Sequence, residues 1–281
     1  MVDQVSSLET RSAQPANCVA LLYHDVVLPG QFGSSGFSGA DADVYKFERP
    51  EFEQHLEAIA QVPHRGDIGL LHDASSPIRP GTVLLTFDDA GASTPSIAAM
   101  LESFGWRGHF FVPTDFIGKP GFMTAIQIRE LHARGHAVGS HSCSHPTRMA
   151  LCKPAELKRE WTESVRVLAA ILDSPVRIAS VPGGYYLKSV AHEAAAAGIE
   201  VLFNSEPITR PQRVSGCLVV GRFSIRQGVS ADTAARIAGG DFFKCTEQYL
   251  YWNAKKLAKR LGGDYYLSLR KAHWNGRHKH V

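Results

Sequence analysis

The chain alternates short apolar runs with segments of helical periodicity, and this alternation constrains the possible folds most strongly. The apolar runs predict strands at Cys18–Tyr23, Val83–Phe87, Gly108–Val112, Ala137–His141, Val176–Val181, Val201–Asn204 and Leu218–Phe223. The segments between them predict helices at Pro50–Gln61, Thr94–Phe104, Thr124–Arg134, Pro154–Leu172, Leu187–Ala197 and Ala231–Ala238. Repeated βα units are typical of a parallel sheet covered by helices, so we expect one barrel-like α/β domain of about seven parallel strands.

Two stretches stand outside this alternation: a Gly/Ser-rich loop at residues 28–43 and a helical C-terminal segment from about Phe242 to Lys271. We expect an N-terminal tail over 1–17, the barrel over 18–240, and a helical C-terminal extension with a basic tail over 241–281. The last twelve residues, RKAHWNGRHKHV, are interpreted as a solvated tail.

Composition excludes several classes of protein. With 281 residues, 44% of them hydrophobic, the chain can bury a large core, and a net charge of +3 gives no reason to expect a nucleic-acid partner. The five cysteines form no CxxC motif and are interpreted as free thiols of a reducing compartment. The first twenty residues lack the pattern of a signal peptide, and no apolar run approaches the ~18 residues of a membrane span. We therefore expect a cytoplasmic protein; its oligomeric state is not indicated.

Two adjacent carboxylates, Asp88 and Asp89, end the most hydrophobic predicted strand, VLLTF. Such a pair would repel at a dry strand end unless a cation or a proton lay between the two groups. An Asp-Asp pair also arises by chance, but its position at a strand end favours a functional interpretation.

Two histidines, His141 and His145, follow the predicted strand with sequence AVGS. If the intervening residues form a single helical turn, both imidazoles can reach one metal ion. His132 and His136 have the same spacing, but Gly135 ends their predicted helix, and we interpret them as surface residues. With the two carboxylates, His141 and His145 make a plausible Asp/His/His site with one spare carboxylate as the base.

A Gly-Gly turn follows a further apolar stretch, in the sequence VPGGYY at residues 181–186. Adjacent glycines let the backbone approach a ligand closely, and an exposed amide can then donate to an oxyanion. Alone, this sequence indicates only a turn.

In this order and spacing, TFDD, HSCSH and VPGGYY resemble the first three motifs of the polysaccharide deacetylase (NodB-homology) family, carbohydrate esterase family four. The resemblance covers about residues 18 to 225 and includes YHDV and GHFFV. It implies a distorted (β/α) barrel and metal-dependent hydrolysis of an N-acetyl amide on an amino sugar. It also implies Asp88 as the base and a divalent metal, zinc by default, bound by Asp89, His141 and His145. Gly183 would supply the oxyanion amide, and the substrate would contact Pro182, Gly184, Tyr185 and Arg222.

The sequence departs from the family pattern at two places. No Leu-x-His, which supplies the general acid in many members, follows residue 200, and Ser180 stands where the third motif usually has Arg. Arg222, at the end of a later predicted strand, could reach the base instead. His24, at the end of the first strand, is a candidate acid; the alternative is a buried histidine bonded to a neighbouring loop.

We therefore expect a hydrolase that removes N-acetyl groups from an amino-sugar saccharide or glycolipid, with a role in exopolysaccharide synthesis. A cytoplasmic enzyme would need a lipid-linked or nucleotide-linked precursor as its substrate. Two alternatives remain: another carbon-nitrogen amide hydrolase, such as a deformylase or cyclic imidase, and a non-catalytic saccharide-binding barrel.

Overall fold

A computed structural model describes residues 16–63, 66–184 and 186–257. Its strands are β1 (Cys18–Tyr23), β2 (Val26–Val27), β3 (Phe47–Glu48), β4 (Thr82–Phe87), β5 (His109–Val112), β6 (Ala137–Ser140), β7 (Ile178–Ser180), β8 (Val201–Phe203), β9 (Gln212–Val214), β10 (Cys217–Val220) and β11 (Phe223–Ser224). Its helices are α1 (Ala40–Asp43), α2 (Arg49–Ala60), α3 (Thr94–Ser103), α4 (Ala125–Ala133), α5 (Pro154–Leu172), α6 (Lys188–Ala196), α7 (Ala231–Ala238) and α8 (242–257).

One curled sheet forms a half-barrel with helices packed around it, which confirms the expected α/β barrel fold. The sheet has nine strands rather than seven, in the order β11-β1-β4-β5-β6-β7-β8-β10-β9. Every neighbouring pair is parallel except β10 with β9. Strands β2 and β3 form a separate parallel pair. The strands missed from the sequence have two or three residues each, too few to show a periodicity.

The predicted strand Leu218–Phe223 is two strands. Strand β10 pairs with β8, whereas β11 pairs with β1 on the other side of the half-barrel. Gly221 and Arg222 form the link between them. A Cβ on Gly221 would lie 2.3 Å from the Glu206 carbonyl oxygen, so this link requires glycine. The Arg222 side chain is completely buried between the two edges of the sheet.

Apolar sequence explains the central elements. Strands β1 and β4 pair along six residues each, and all twelve side chains are buried, as expected inside a parallel sheet. Helix α5 buries Leu157, Trp161 and Leu168 along the predicted apolar stripe and begins with Pro154 in its first turn. These local preferences agree with the tertiary fold, which is why the predicted bounds are accurate here.

Parallel strands bring the loops after their carboxyl ends to one edge of the sheet. The loops after β1, β4, β6 and β7 meet there with the β10–β11 link, so the motif residues lie close together. The C-terminal helical prediction is confirmed for residues 242–257, while the rest of the predicted extension and its basic tail (258–281) and the tail before residue 16 lie outside the described residues. All five cysteines are free. Within the described ranges, no helix combines the length and the apolar character needed to cross a bilayer.

Candidate active site

Asp89, His141 and His145 meet at the carboxyl edge of the sheet, where one ligand atom of each lies within 4.8 Å of the others. The Asp89 Oδ1 atom is 3.5 Å from His141 Nε2 and 3.4 Å from His145 Nε2. The His141 Nδ1–H donates to the Ser180 carbonyl oxygen at 3.0 Å, which leaves the Nε2 lone pair directed toward Asp89. Although buried, Asp89 Oδ1 has no hydrogen-bond partner among the described residues. This donor set suits a divalent cation.

The loop that carries the histidines is not the single helical turn expected from their spacing. Ser142 and His145 have positive φ angles of 63° and 56°, and in the loop after β4 Asp89 and Ala90 have φ angles of 74° and 46°. Non-glycine residues adopt this region only where their surroundings compensate for the strain. Left-handed residues, rather than helical geometry, thus direct the ligand atoms to a common point.

Glu160 of α5 holds the histidine loop in this conformation. Its carboxylate is buried and accepts the Cys143 and Ser144 backbone N–H groups at 2.9 and 2.8 Å, and the Ser144 hydroxyl at 2.8 Å. Three charge-assisted hydrogen bonds to one loop offset the strain of its left-handed residues. The helix therefore orients the histidines without contacting them.

Asp88 forms a buried ion pair with Arg222. The guanidinium donates from Nη1 to Oδ1 at 2.7 Å and from Nη2 to Oδ2 at 2.9 Å, while the Ser180 hydroxyl donates to Oδ2 at 3.2 Å. Burial alone would raise the pKa of Asp88, but the charge of Arg222, the charge of His141 and the hydrogen bonds from Arg222 together hold the pKa below its ordinary value. Asp88 is therefore an anion at neutral pH. Arg222, expected among the substrate-binding residues, lies behind this carboxylate and away from the open site.

His24 follows β1 at the same edge, with its ring 4.8 Å from that of Tyr45. Its buried Nδ1 atom has no hydrogen-bond partner among the described residues. Burial lowers the pKa of His24, against the opposing charges of Asp89 and Asp88. The structure thus places the candidate acid within the field of both carboxylates.

Pro182, Gly183 and Gly184 form a short turn after β7. A Cβ on Gly183 would lie 2.1 Å from the Thr147 carbonyl oxygen, and its φ of 68° is in the left-handed region. The turn therefore packs directly against the segment after His145. Tyr185 lies outside the described residues.

Asp25 is a buried carboxyl that sequence reasoning missed. Its Oδ1 accepts hydrogen bonds from the hydroxyls of Ser35 and Ser93 at 2.6 and 2.8 Å, and burial raises its pKa to about 6. These bonds join the 28–43 loop to the segment after β4. The sequence signal was a charged residue among apolar neighbours in YHDVV.

Phe37 of the same loop lies against the His145 imidazole, with 4.6 Å between ring centroids. It also contacts Phe116 and Phe122 at 4.7 and 5.0 Å, and all three phenyl rings are partly exposed. An aromatic wall thus borders the histidine loop. Its members are distant in sequence, so no local pattern indicated it.

His132 and His136, the second pair of histidines four residues apart, do not belong to the ligand cluster. His136 is buried rather than on the surface; its Nε2–H donates to Glu102 at 2.9 Å and its Nδ1 accepts the Gly108 N–H at 3.1 Å. His132 is partly buried and shares no ligand cluster with it in the described chain. The surface interpretation is therefore wrong for His136, which connects structural elements.

The comparisons with known proteins agree with this geometry. The polysaccharide deacetylase family model matches residues 76–202, which include all three motifs. YxkH of Bacillus subtilis (strain 168), named as a polysaccharide deacetylase, is 23% identical over 227 residues, covering 78% of this chain and 75% of the relative. A chitooligosaccharide deacetylase of Bradyrhizobium sp. (strain ANU 289) is 30% identical over 121 residues, or 42% of this chain and 53% of the relative.

A solved structure supports the fold. The Streptococcus pyogenes deacetylase PplD in complex with acetate has a TM-score of 0.62 at 19% identity, covering 78% of this chain and 96% of PplD. This likeness concerns the fold, while the family match covers the segment that holds Asp88, Asp89, His141 and His145. The family match over residues 76–202 confirms the resemblance to the polysaccharide deacetylase family that the three motifs indicated.

Proposed function

We propose that this protein is a metal-dependent hydrolase that removes N-acetyl groups from an amino-sugar saccharide or glycoconjugate. One observation carries the proposal: the Asp89/His141/His145 cluster lies beside a separate carboxylate, Asp88, which Arg222 keeps ionised. Hydrolysis of an amide at such a site requires both features, a place for a cation and an anionic base.

Asp89, His141 and His145 would hold the cation, and zinc is the default for this ligand set. Three protein ligands leave a position open, as in catalytic rather than structural sites. When bound, the cation supplies positive charge that lowers the pKa of a water molecule and polarises the acetyl carbonyl group.

Asp88 would accept the proton of the attacking water. Its Oδ2 atom is 3.7 Å from His141 Nε2, so the carboxylate faces the same space as the ligand cluster. Arg222 and Ser180 fix the orientation of this carboxylate from behind, and a fixed base avoids reorganisation during the reaction. Arg222 is thus a positioning residue.

His24 would donate a proton to the leaving amine, and the Gly183 backbone N–H would stabilise the oxyanion. Pro182 and Gly184 would contact the saccharide, as would Tyr185. His24 follows β1, and Pro182, Gly183 and Gly184 form the turn after β7, so both segments lie at the carboxyl edge of the sheet. The acid thus comes from β1 rather than from a late Leu-x-His.

The substrate class rests on the relatives. The Bradyrhizobium protein is a chitooligosaccharide deacetylase by name, which supports an N-acetylated amino sugar as the substrate. A role in exopolysaccharide synthesis, with a lipid-linked or nucleotide-linked precursor, is part of the proposal. The cytoplasmic location stays a prediction of the sequence.

The first test is metal content per chain by mass spectrometry after identical dialysis. We expect about one divalent ion per chain in the wild type and almost none in Asp89→Ala and His141→Ala, because a catalytic site of three protein ligands holds one ion. His132→Ala is the matched control and should retain the ion. A wild type that stays metal-free after incubation with zinc would refute metal dependence.

Acetate release from N-acetylated chitooligosaccharides is the second test, with Asp88→Asn as the inactive control. Formate or a ring-opened product from the corresponding amides would favour the deformylase or imidase alternative. Saccharide binding by the metal-loaded protein without acetate release would favour the non-catalytic barrel.

A further inference from the structure

Helix α8 presents an apolar face to solvent. Phe243, Leu250 and Leu257 are spaced by seven residues, which places them on one side of a helix, and they are 77%, 61% and 56% exposed. Phe242 is 74% exposed beside them. Scattered apolar residues are common on protein surfaces, but an aligned set of large ones marks an interaction surface.

The other side of the same helix attaches it to the barrel. Cys245 packs against the main hydrophobic core, the Gln248 side-chain amide donates to the Ser224 carbonyl oxygen at 3.1 Å, and Lys256 pairs with Glu206 at 3.1 Å. On a helical projection these three residues lie roughly opposite the Phe243 stripe. The apolar face is therefore directed away from the part of the barrel that the structure describes.

Positive charge is concentrated in the same part of the chain. Residues 242–281 contain nine Lys and Arg but only two Asp and Glu, whereas the whole chain has a net charge of +3. The remainder of the chain is therefore net negative. Within α8, Lys255 lies 4.7 Å from the Tyr251 ring centroid and Lys256 lies 4.6 Å from that of Trp252. Apolar, aromatic and basic side chains in one helix are the composition of helices that lie in the interface of an anionic bilayer.

The C-terminal end of α8 lies near the candidate active site. Lys256 binds Glu206, and the preceding residue, Ser205, borders Gly184, whose Cβ position is 3.7 Å from the Ser205 hydroxyl. The Asn204 carbonyl oxygen in turn accepts a hydrogen bond from Arg222 Nε at 3.0 Å. A surface bound by α8 would therefore be close to the loops that surround the ligand cluster.

We propose that α8 docks on the surface of an anionic phospholipid bilayer, with Phe242, Phe243, Leu250 and Leu257 in the interface and the net positive charge of residues 242–281 attracting this part of the chain to the headgroups. The helix lies on the bilayer and does not cross it. Docking of α8 does not depend on the proposed function. The purpose we assign to it, which is to bring the active site to saccharides carried on lipids, rests on the proposed function.

The test is co-sedimentation of the full chain with vesicles of phosphatidylcholine alone or with added phosphatidylglycerol. We expect at least about tenfold tighter binding to the anionic vesicles, weakened by salt. The variant F242S/F243S/L250S/L257S should lose about tenfold or more of this affinity. The matched control, I126S/L151S, removes two equally exposed apolar residues elsewhere and should bind like the wild type. Circular dichroism melting establishes that each variant is folded.

Two outcomes would overturn the proposal. One is equal binding of the wild type and the α8 variant to anionic vesicles, or no binding by either. The other is a concentration-dependent dimer in light scattering that the α8 variant loses, without vesicle binding, which would make this face a subunit interface. Acetate release from a soluble chitooligosaccharide separates this question from the proposed function, because the α8 substitutions should leave it unchanged.

Discussion

Ser180 connects the base to the ligand cluster. Its hydroxyl lies between Arg222 and Asp88, while its carbonyl oxygen fixes the His141 imidazole. The family's usual arginine is absent at this position, and the β10–β11 link supplies a guanidinium to the carboxylate instead. A small side chain at position 180 leaves the space that Arg222 occupies.

Arg222→Ala should destabilise the protein by about 3 to 5 kcal/mol at neutral pH, because it leaves the buried Asp88 without its counter-charge. The pKa of Asp88 should rise, so the pH at which acetate release begins should move upward. Ser180→Ala removes one hydrogen bond and should change stability by only about 1 kcal/mol. Urea unfolding and pH–rate profiles measure both effects. Equal losses in the two variants would contradict the ion-pair argument.

Gly183 and Gly184 offer a matched pair of substitutions. Both have a φ of 68°, but a Cβ on Gly183 would collide with the Thr147 backbone, whereas Gly184 has nothing nearer than 3.7 Å. Gly184→Ala should cost about 1 kcal/mol, from backbone strain alone. Gly183→Ala should cost about 2 to 4 kcal/mol and reduce activity, since the turn must move away from the histidine loop. Thermal unfolding of both variants checks the difference; similar values would exclude the close approach to Thr147.

Among the site residues, the sequence predicts those whose chemical type and position at a strand end already indicate a role. Asp88, Asp89, His141 and His145 meet that condition, and the structure brings them together. Asp25 and Phe37 do not, because their roles arise from contacts with residues far away in the chain.

The elements are held together at the opposite end of the sheet by a charged cluster. Glu102 of α3 accepts two hydrogen bonds from Arg134, each 2.9 Å, and one from His136. These contacts join the ends of α3 and α4 to the start of β6. The hydrogen bond from Arg134 is the main cause that lowers the pKa of Glu102 from 4.5 to about 2.

Since the folded-state pKa of Glu102 is depressed, its stabilising contribution is complete above pH 4.5 and is lost as the pH falls toward 2. Glu102→Gln should therefore lower the free energy of unfolding most at neutral pH and progressively less below pH 4.5. Urea unfolding across this range measures the effect, with the exposed Glu57→Gln as the control. If Glu102→Gln lowered the free energy of unfolding by the same amount at every pH, the charge of Glu102 would contribute nothing to stability.

Long elements were predicted within one or two residues of their bounds, because propensity, apolar periodicity and end signals agree in them. The break between β10 and β11 could not be predicted. In the sequence, Gly221 and Arg222 look like a continuation of one strand. Only the pairing of β10 with β8 and of β11 with β1 shows that Leu218–Phe223 belongs to two strands.

For the whole molecule, the ligand cluster joins the loops after β4 and β6. A cation that binds the folded chain alone should stabilise it by about 2.7 kcal/mol at one hundred times its Kd, or roughly 5 to 10 °C in Tm for a chain of this size. Zinc should therefore raise the Tm of the wild type, and a chelator should reverse the rise.

His145→Ala should abolish that response, and His132→Ala should retain it. Differential scanning calorimetry provides the measurement. A zinc-dependent rise of the same size in His145→Ala would place the cation elsewhere in the protein.

Arg222 stands in the link that brings the last strand of the sheet beside the first. Its partner, Asp88, precedes it by 134 residues, and β1 pairs with β11 across an even longer stretch of chain. Contacts of such long range form late in folding, because the entropy of closing a large loop opposes them. The ion pair that keeps Asp88 ionised therefore forms only when β11 has docked beside β1. In a refolding experiment, enzymatic activity should recover later than helical structure, and this delay would measure the closing of the half-barrel.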